Sequence, residues 1–465
     1  MSRQIVLLSA LATALSAYSQ PLAGAQGGAL SATALGAAAL VANPAGMSSG
    51  MSTWEIALPE FSATVGGITL REYAFYFGGV RTSTGWQRRR LTLEEREEFV
   101  RLLESRPHTF SLRAGTLAGV WRPSPSYAVG FGSRTELWLR IQLPRGTVEA
   151  AQQPIIGSDT AELLGGTFSL RAYSVLTAAY ARALWQADTM QGWRPRRLLG
   201  GVALHLYRGH EYVEVLPGGR IRLEPFMPES WDSTLSWDIS IQQRWRLGTS
   251  GSAALPLLIG VAPAIGWGAG VSIGLRWEWQ TVDTVPPQVA ATLSLEHAGF
   301  LRWSLTEAVL RSRDTLSGIL GEEEELQRRY TPLKEASTVV ERMPARLRIG
   351  ATVEMVALGV ESPLRLAVEY AHGLGPTWSL PGPSAGLGLM YRGLTWMPQI
   401  AIGLMWSHAL GLQVPLGLQW TSPRFWGVRT VVEVATNSLL GWLLRGTIRN
   451  VHAEMYVRIM RPAAP

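Results

Sequence analysis

The chain of 465 residues contains no cysteine, which excludes disulfides, thiolate metal sites and cysteine nucleophiles. Lys334 is its only lysine, so the net charge of +7 comes almost entirely from arginine. Charged residues make up only 17% of the chain, a low share for a soluble protein. No run of about 18 apolar residues follows the N-terminal region, which excludes membrane-spanning helices. Basic residues alternate with acidic ones and do not cluster, which argues against nucleic-acid binding.

The first residues have the pattern of an export signal. Arg3 supplies a short basic region, 5–17 an apolar core, and Ala17 and Ser19 a small-x-small cleavage site. The alternative is a buried first helix, but no segment long enough to pack on it follows. We therefore predict a signal peptide over 1–19.

Strict alternation of apolar and polar residues over 235–247 indicates a β-strand. Leu235, Trp237 and Ile239 fall on one face, and Ser236 and Asp238 fall on the other. At roughly 3.3 Å per residue, these residues span about 40 Å, enough to cross a bilayer at a tilt. One face is suited to lipid and the other to a polar interior.

The same alternation recurs along the chain and predicts roughly fourteen strands. A soluble β-sandwich also alternates, but many of these strands are ten residues or longer, tryptophans lie near several strand ends, and an export signal precedes them. The predicted fold is all-β: a membrane-spanning antiparallel β-barrel of about 14 strands with an N-terminal hatch and two short helical inserts. A soluble periplasmic sandwich stays as an alternative. The clearest strands are 110–120, 137–143, 267–279, 289–305, 347–357, 364–372 and 451–459, and less regular ones lie near 54–65, 166–183, 199–216, 385–392, 398–407, 411–420 and 425–435.

Two inserts interrupt the alternation. Thr92 and Glu95 form a capping box that opens a helix, so we predict a helical insert at 91–105. The second insert, 313–343, contains the acidic run 322–325 and is predicted to hold a solvated helix. Each insert is either a functional loop or a mere surface loop.

The segment 20–50 is rich in Gly, Ala, Ser and Leu and is too short to fold alone. It is predicted either to plug a barrel formed by 51–465 or to serve as a flexible linker. Asn43 and Pro44 predict a tight turn near its end.

Several motifs, taken in order, resemble those of FadL/PorV-like outer-membrane barrels. The residues Gly27 and Gly28 resemble the beginning of the family's N-terminal hatch. A second run resembles the end of that hatch: Asn43, Pro44, Ala45, Gly46 and Met47. The blocks 91–103, 199–214, 268–274 and 435–441 further resemble a group of conserved outer-membrane proteins of the Bacteroidetes/Chlorobi type with unknown function. The resemblance implies a barrel of about fourteen strands, located in the bacterial outer membrane and closed by the hatch. The acidic pair that usually precedes the Asn-Pro-Ala motif is replaced here by the apolar stretch 35–40.

If the apolar faces contact lipid, the polar faces line a lumen and bring arginines and acids of neighbouring strands together. Unpaired charges in a narrow barrel are costly, so cross-strand ion pairs are expected. These pairs are either a structural ladder or a polar path past the hatch. An apolar ligand pocket near the hatch, lined by residues such as Leu40 and Met47, is the other candidate site. The candidate lumen charges are Arg113, Arg140, Asp238, Arg244, Arg276, Glu278, Glu296, Arg302, Arg348, Glu354, Glu369, Glu433, Glu454 and Arg458.

The sequence gives little support for catalysis, and no catalytic, cofactor-binding or metal-binding residue is predicted. The seven histidines lack metal-ligand spacing, and no Gly-x-Ser-x-Gly motif occurs. His205 and His210 are predicted on opposite faces of one strand. Ser294 and His297 are likewise predicted on opposite faces, which argues against a hydrolase.

The leading hypothesis is a FadL-like barrel for passive transport of small hydrophobic or amphipathic molecules across the outer membrane. The alternative is a PorV-like non-catalytic scaffold that binds a periplasmic or surface protein through the inserts. The predicted partners are outer-membrane lipid and either a small hydrophobic ligand or such a protein, and no cofactor is expected.

Overall fold

A computed structural model describes residues 30–49, 52–57, 60–67, 70–77, 79–82, 85–88, 91–105, 108–147, 160–162, 166–187, 196–224, 234–247, 262–279, 289–317, 333–355, 363–374, 382–391, 398–408, 411–436 and 450–462. The predicted signal peptide, and with it Gly27 and Gly28, lies outside these ranges. None of the described helices is long and apolar enough to cross a membrane.

The described part of the chain is dominated by antiparallel strands. Its α-helices are α1 (Leu30–Thr33), α2 (Ala39–Ala42), α3 (Leu70–Phe77) and α4 (Leu93–Ser105). The strands are β1 (Ser52–Ala57), β2 (Glu60–Gly66), β3 (Gly79–Thr82), β4 (Gly85–Arg88), β5 (His108–Ser124), β6 (Tyr127–Gln142), β7 (Thr160–Glu162), β8 (Thr167–Gln186), β9 (Arg197–Glu224), β10 (Thr234–Leu247), β11 (Gly266–Trp279), β12 (Val289–Ser317), β13 (Leu333–Arg342), β14 (Arg346–Glu354), β15 (Leu364–Gly373), β16 (Gly382–Tyr391), β17 (Gln399–Ser407), β18 (Gly411–Gln413), β19 (Leu416–Thr421), β20 (Arg429–Thr436) and β21 (Asn450–Pro462).

All of these strands except β3 and β4 form a closed barrel. Strand β21 pairs with β1 and β2, and so joins the end of the described chain to its first strands. Five positions of the wall are occupied by two segments each: β1 with β2, β7 with β8, β10 with β11, β13 with β14, and β18 with β19. The described strands thus fill about 14 wall positions, which confirms the predicted fold class.

Strand β11 shows how the wall separates two environments. Trp267 and Ile273 point outward and are 52% and 50% exposed, whereas Ser272 and Glu278, on the other face, are fully buried. The outward residues form an apolar surface, and the inward residues are small or polar. Because a transmembrane barrel needs apolar residues outside and polar residues inside, this alternation identifies the outer face as the lipid-facing one.

The wall is interrupted on both sides of β12. Strands β10 and β11 both pair with β9 and β12, and Leu247 lies opposite Glu211 whereas Gly266 lies opposite Gly209, so the second segment begins almost where the first ends along β9. On the other side, β13 ends at Arg342 and β14 begins at Arg346.

The two ends of the barrel are named here by their connections. We call the end with the tight turn at 125–126, between β5 and β6, the short-turn end, and the opposite end the long-loop end.

The predicted helical insert 313–343 differs from the structure in its described part. Its first residues continue β12 to Ser317, and Leu333–Arg342 form β13, which pairs with β12. The acidic run had suggested a solvated segment, but the flanking residues alternate and are drawn into the wall by pairing along β12. Residues 318–332, which contain the acidic run, lie outside the described ranges.

The chain between β2 and the insert at 91–105 contains two features that the alternation did not predict, helix α3 and the hairpin formed by β3 and β4. Helix α4 begins with the capping box: the Thr92 N–H donates to Glu95 Oε2 at 2.8 Å, and the Glu95 N–H donates to Thr92 Oγ1 at 3.2 Å. Tyr76 of α3 packs against Phe99 of α4, with ring centroids 4.7 Å apart.

An arginine at position 273 tests the assignment of the outer face. Because Ile273 lies near the middle of β11 on the lipid side, Ile273→Arg should destabilise the membrane-inserted barrel by roughly 2–4 kcal/mol. Urea unfolding in lipid vesicles, followed by the heat-modifiable gel shift, measures this loss. The control is Trp426→Arg, in the turn between β19 and β20, where the side chain is 90% exposed. Equal stability of the two variants would contradict the assignment.

Candidate functional site in the barrel lumen

Residues 30–49, which we call the plug, lie inside the barrel and are almost entirely buried. They form α1, α2 and two short 3-10 helices, Gly36–Ala38 and Pro44–Ser49. Leu40 and Met47 pack in a common apolar cluster with wall residues that include Val120 and Tyr456. Small plug residues dominate because compact helical turns must fit within a closed ring.

The run 43–46 forms a tight turn that touches the wall closely. Asn43 Oδ1 accepts the Ala45 N–H at 3.1 Å, and Asn43 Nδ2 donates to the Leu275 carbonyl oxygen at 3.2 Å. A Cβ atom on Gly274 would lie 1.8 Å from Asn43 Oδ1, and one on Gly201 would lie 2.3 Å from the Ala45 nitrogen. Glycine is therefore required at both wall positions.

Two wall carboxylates accept hydrogen bonds from plug serines. Glu369 Oε2 accepts from the Ser31 backbone N–H at 2.7 Å and from Ser31 Oγ at 2.6 Å. Glu278 Oε1 accepts from Ser49 Oγ at 2.5 Å. The carboxylates that hold the plug thus come from the wall.

Wall donors complete the attachment of the plug. Arg276 Nη1 donates to the Ala32 carbonyl oxygen at 2.7 Å, and Ser294 Oγ donates to the Ala42 carbonyl oxygen at 3.0 Å. These contacts satisfy carbonyl groups at the ends of α1 and α2, which have no partners within such short helices.

Ion pairs within and between wall strands fix the groups that hold the plug. Arg348 lies 2.5 Å from Glu369 and 2.7 Å from Glu296, and Glu278 lies 2.7 Å from Arg276. Further inward-facing pairs are Arg113 with Glu136, Arg365 with Glu354, Arg458 with Glu55 and Glu433, and Arg244 with Glu214 and Glu307.

Four of the predicted lumen charges remain outside this set of ion pairs. Arg302 is exposed between the buried Leu301 and Trp303, so it lies on the outer face. A bulge between residues 296 and 301 reverses which positions of β12 face inward, and simple alternation could not predict it. The side chains of Asp238 and Glu454 lie outside the described parts of their strands. Arg140 lies on the inner face and donates to Gln142 Oε1 at 3.4 Å.

A histidine pair inside the lumen was missed by the sequence argument. The rings of His205 and His297 lie 4.4 Å apart. His297 has a φ of +53°, in the left-handed region, and this bend turns its side chain toward the lumen, so Ser294 and His297 are both buried on the inner side, contrary to prediction. Arg134 Nη2 donates to His297 Nε2 at 2.7 Å.

A second closure lies on the long-loop side of the plug. We call Tyr173, Tyr207, Tyr212 and Trp303, which are buried in one cluster, the aromatic seal. Ile265 and Met343, both at wall interruptions beside β12, pack against it. The seal was not predicted because its members come from three different strands and meet only through the bulges.

Arg171 connects residues around the aromatic seal through two ion pairs and a cation–π contact. Its Nη2 lies 2.9 Å from Glu341 Oε1 and 2.8 Å from Glu214 Oε1, and its guanidinium carbon lies 3.9 Å from the centre of the Tyr212 ring. Trp303 Nε1 donates to Glu341 Oε2 at 3.1 Å. The only sequence signal was the polar alternation of β8, on which Arg171 lies.

A small, partly open cavity of about 50 Å³ lies beside the plug. Apolar plug atoms form one side of it, and wall residues that include two arginines form another. Small-molecule pockets commonly measure about 300–1,000 Å³, so the cavity must widen before it can hold a whole ligand. The lining residues are Ala37, Ala38, Leu40, Ala57, Arg113, Gly115, Leu117, Ala118, Gly132, Ser133, Arg134, Thr177 and Tyr456.

Comparison with known proteins identifies the fold. The chain is similar to the TodX monoaromatic hydrocarbon channel deltaS2 mutant, at 13% identity, with 96% of this chain and 99% of that chain covered and a TM-score of 0.51. The toluene transporter TbuX of Ralstonia pickettii (13% identity, 97% and 99% covered, TM-score 0.48) and a Pseudomonas aeruginosa FadL homologue (11% identity, 96% and 98% covered, TM-score 0.45) were also found.

No family model and no curated protein matches the sequence. The similarity to the TodX mutant shows that the barrel has the fold of that channel. Within the described ranges, no group of three or more His, Asp or Glu residues could hold a metal ion.

Removal of the Glu369 carboxylate should loosen the plug. Hydrogen bonds to a charged group are worth about 1.5–3 kcal/mol each, so Glu369→Ala should raise exposure of the plug at least about tenfold. Since the chain lacks cysteine, Ser48→Cys provides a single label site on the buried side of the plug. The labelling rate with a water-soluble maleimide measures plug opening.

The matched control for this experiment is Glu354→Ala, which breaks the ion pair with Arg365 between the same two strands. It should leave the labelling rate of Ser48→Cys unchanged. If Glu369→Ala labels no faster than the parent protein, the Ser31–Glu369 contact does not hold the plug.

Proposed function

We propose that the chain is an outer-membrane channel for passive transport of small hydrophobic or amphipathic molecules. The observation that carries the proposal is the cavity between the plug and the wall, within a barrel that has the fold of a hydrocarbon channel. The name of the TodX protein describes its own ligand, and only the fold similarity links it to this chain.

The outer surface of the wall supports a location in the bacterial outer membrane. Exposed apolar side chains cover it from β5 to β21, and residues such as Leu204, Leu293 and Leu418 would contact acyl chains. A closed barrel leaves no unpaired strand edge, the condition for placing strands in lipid. Outer-membrane lipid is thus the first partner of the protein.

The lining of the cavity suits a small ligand with an apolar body, which would enter as the plug moves and the cavity widens. Its plug side presents Ala37, Ala38 and Leu40, which offer apolar contact, whereas Arg113 and Arg134 place cationic groups on the wall side. An amphipathic molecule would be bound on both sides at once. No coupling to an energy source is needed, because a solute that partitions into the cavity moves down its own gradient.

Transport requires that both closures move. The plug blocks the lumen near the short-turn end, and the aromatic seal blocks it further toward the long-loop end. The plug takes no part in the backbone pairing of the wall strands, so it can move while the barrel stays closed. The wall ion pairs then act as a rigid ladder that keeps the barrel open around the moving parts.

Of the two functional hypotheses, transport is better supported than the scaffold. The solved barrels reported above are channels and transporters by name, and no contact among the described residues favours a PorV-like docking role. The same similarity supports a non-catalytic protein. Membership of a FadL/PorV-like group of the Bacteroidetes/Chlorobi type stays a proposal that rests on the motifs of the sequence.

Uptake of radiolabelled toluene by cells that express the protein tests the proposal directly. Expression should raise the initial rate severalfold over an empty vector, while uptake of a hydrophilic disaccharide should stay unchanged. Equal toluene uptake with and without the protein would contradict transport of this class of solute. Stable co-purification of another protein together with no uptake would favour the scaffold.

Filling the cavity should block transport selectively. A Cβ atom on Gly132 would have its closest contact at 3.5 Å, from Ala118, so Gly132→Met places its side chain in the cavity without a backbone clash. The matched control is Ala178→Met, which adds a methionine on the outer face of the adjacent strand. Gly132→Met should lower toluene uptake about tenfold at equal abundance in the membrane, and uptake equal to that of Ala178→Met would exclude the cavity from the path.

A further inference from the structure

Three arginines lie on the outer face of the wall, where the alternation otherwise places apolar residues. Arg208 follows the exposed Leu204 and Leu206 on the outward positions of β9, and Arg302 and Arg342 are exposed outward residues of β12 and β13. Charged side chains are costly on a lipid-facing surface unless they reach the headgroup region. The position of these arginines along the barrel axis therefore decides whether they lie among acyl chains or among headgroups.

Arg208 lies eleven residues beyond Arg197, the first residue of β9. At about 3.3 Å per residue and a tilt of about 40°, it lies roughly 28 Å from the short-turn end of that strand. The apolar band of a transmembrane barrel is about 25 Å tall. The arginines thus lie at the upper edge of the band, on the long-loop side.

The three side chains converge on two aromatic rings. Trp267 of β11 lies directly opposite Arg208 on one side and Arg302 on the other. The guanidinium carbon of Arg208 lies 5.4 Å from the centre of the Trp267 ring. Arg342 lies opposite Phe300, the next outward residue below Arg302.

The group carries a net positive charge on its own face. Glu211 is the acid nearest in the chain to these residues on the same face of the described strands, and it lies beyond His210 on β9. The guanidinium group of Arg208 also donates to the Ala262 carbonyl oxygen at 3.4 Å, which fixes its position. The structure gives Arg302 and Arg342 no ion pair among the described residues.

We propose that Arg208, Arg302 and Arg342, with Trp267, bind the phosphate groups of a phosphorylated lipid headgroup in the leaflet at the long-loop end. Guanidinium groups match phosphate geometry with paired hydrogen bonds. Tryptophan favours the interface between headgroups and acyl chains. This inference rests on the outer-membrane location proposed above and concerns a site outside the lumen, separate from the transport path.

The test uses purified protein in detergent and bisphosphorylated lipid A as the probe, with binding measured by titration. At about 1 kcal/mol per arginine near a lipid surface, Arg302→Gln should weaken binding about fivefold, and Arg208→Gln with Arg302→Gln about thirtyfold. The matched control is Arg182→Gln, an exposed outward arginine of β8 near the short-turn end, which should bind as the parent does. The heat-modifiable gel shift verifies that each variant is folded, and Arg302→Gln alone avoids the structural contact of Arg208.

Parent-like binding by the double variant would overturn the proposal, as would an equal loss in Arg182→Gln. Dephosphorylated lipid A should bind weakly to the parent protein, and equal binding would exclude phosphate recognition. Displacement of lipid A by millimolar inorganic phosphate would show that the site binds free phosphate, and would overturn a lipid headgroup as the source of the bound phosphate. Membrane fractionation and toluene uptake of the same variants separate the two proposals, because lost lipid binding with unchanged uptake leaves the transport function intact.

Discussion

The carboxylates of Glu278 and Glu369 are buried between the wall and the plug. The structure of the lumen around them depends on the hydrogen bonds and ion pairs that these two groups receive. A buried carboxylate without partners strongly destabilises the fold, so each of these two acids needs hydrogen-bond donors from both the wall and the plug. Arginines of the neighbouring strands supply some of them, and serines of the plug supply the rest. The same pairing therefore stiffens the wall and attaches the plug, and a change in one affects the other.

The wall interruptions beside β12 give the barrel its second closure. An uninterrupted strand places each side chain strictly inside or outside, and its inner row would leave the centre of a fourteen-strand barrel open. The change of segment from β10 to β11 and the break at 343–345, with the left-handed bend at His297, let Ile265 and Met343 pack inward against the aromatic seal. Local departures from regular pairing thus close the lumen and define the space next to the plug.

Much of the fold follows from the sequence because alternation of apolar and polar residues with a period of two strongly indicates β-strands. It predicted the barrel, the number of strands and the inward position of residues such as Arg276 and Glu369. It could not predict Arg302, since a bulge in β12 reverses the pattern there, nor the meeting of His205 with His297, which depends on register across several strands. Helix α3 was missed because its eight residues are too few to establish a helical period against the surrounding alternation. The acids that hold the plug were present among the predicted lumen charges, but their serine partners had no distinguishing pattern.

The central claim is that one face of each strand contacts acyl chains while the other encloses the plug and its polar partners. Single cysteines placed one at a time from 267 to 279 in the cysteine-free chain, each carrying a spin label, test it in lipid vesicles. Accessibility to oxygen, which concentrates in lipid, should alternate along β11, high at odd positions such as 273 and low at even positions such as 272. A profile without this period, or one with high accessibility at the even positions, would contradict the account.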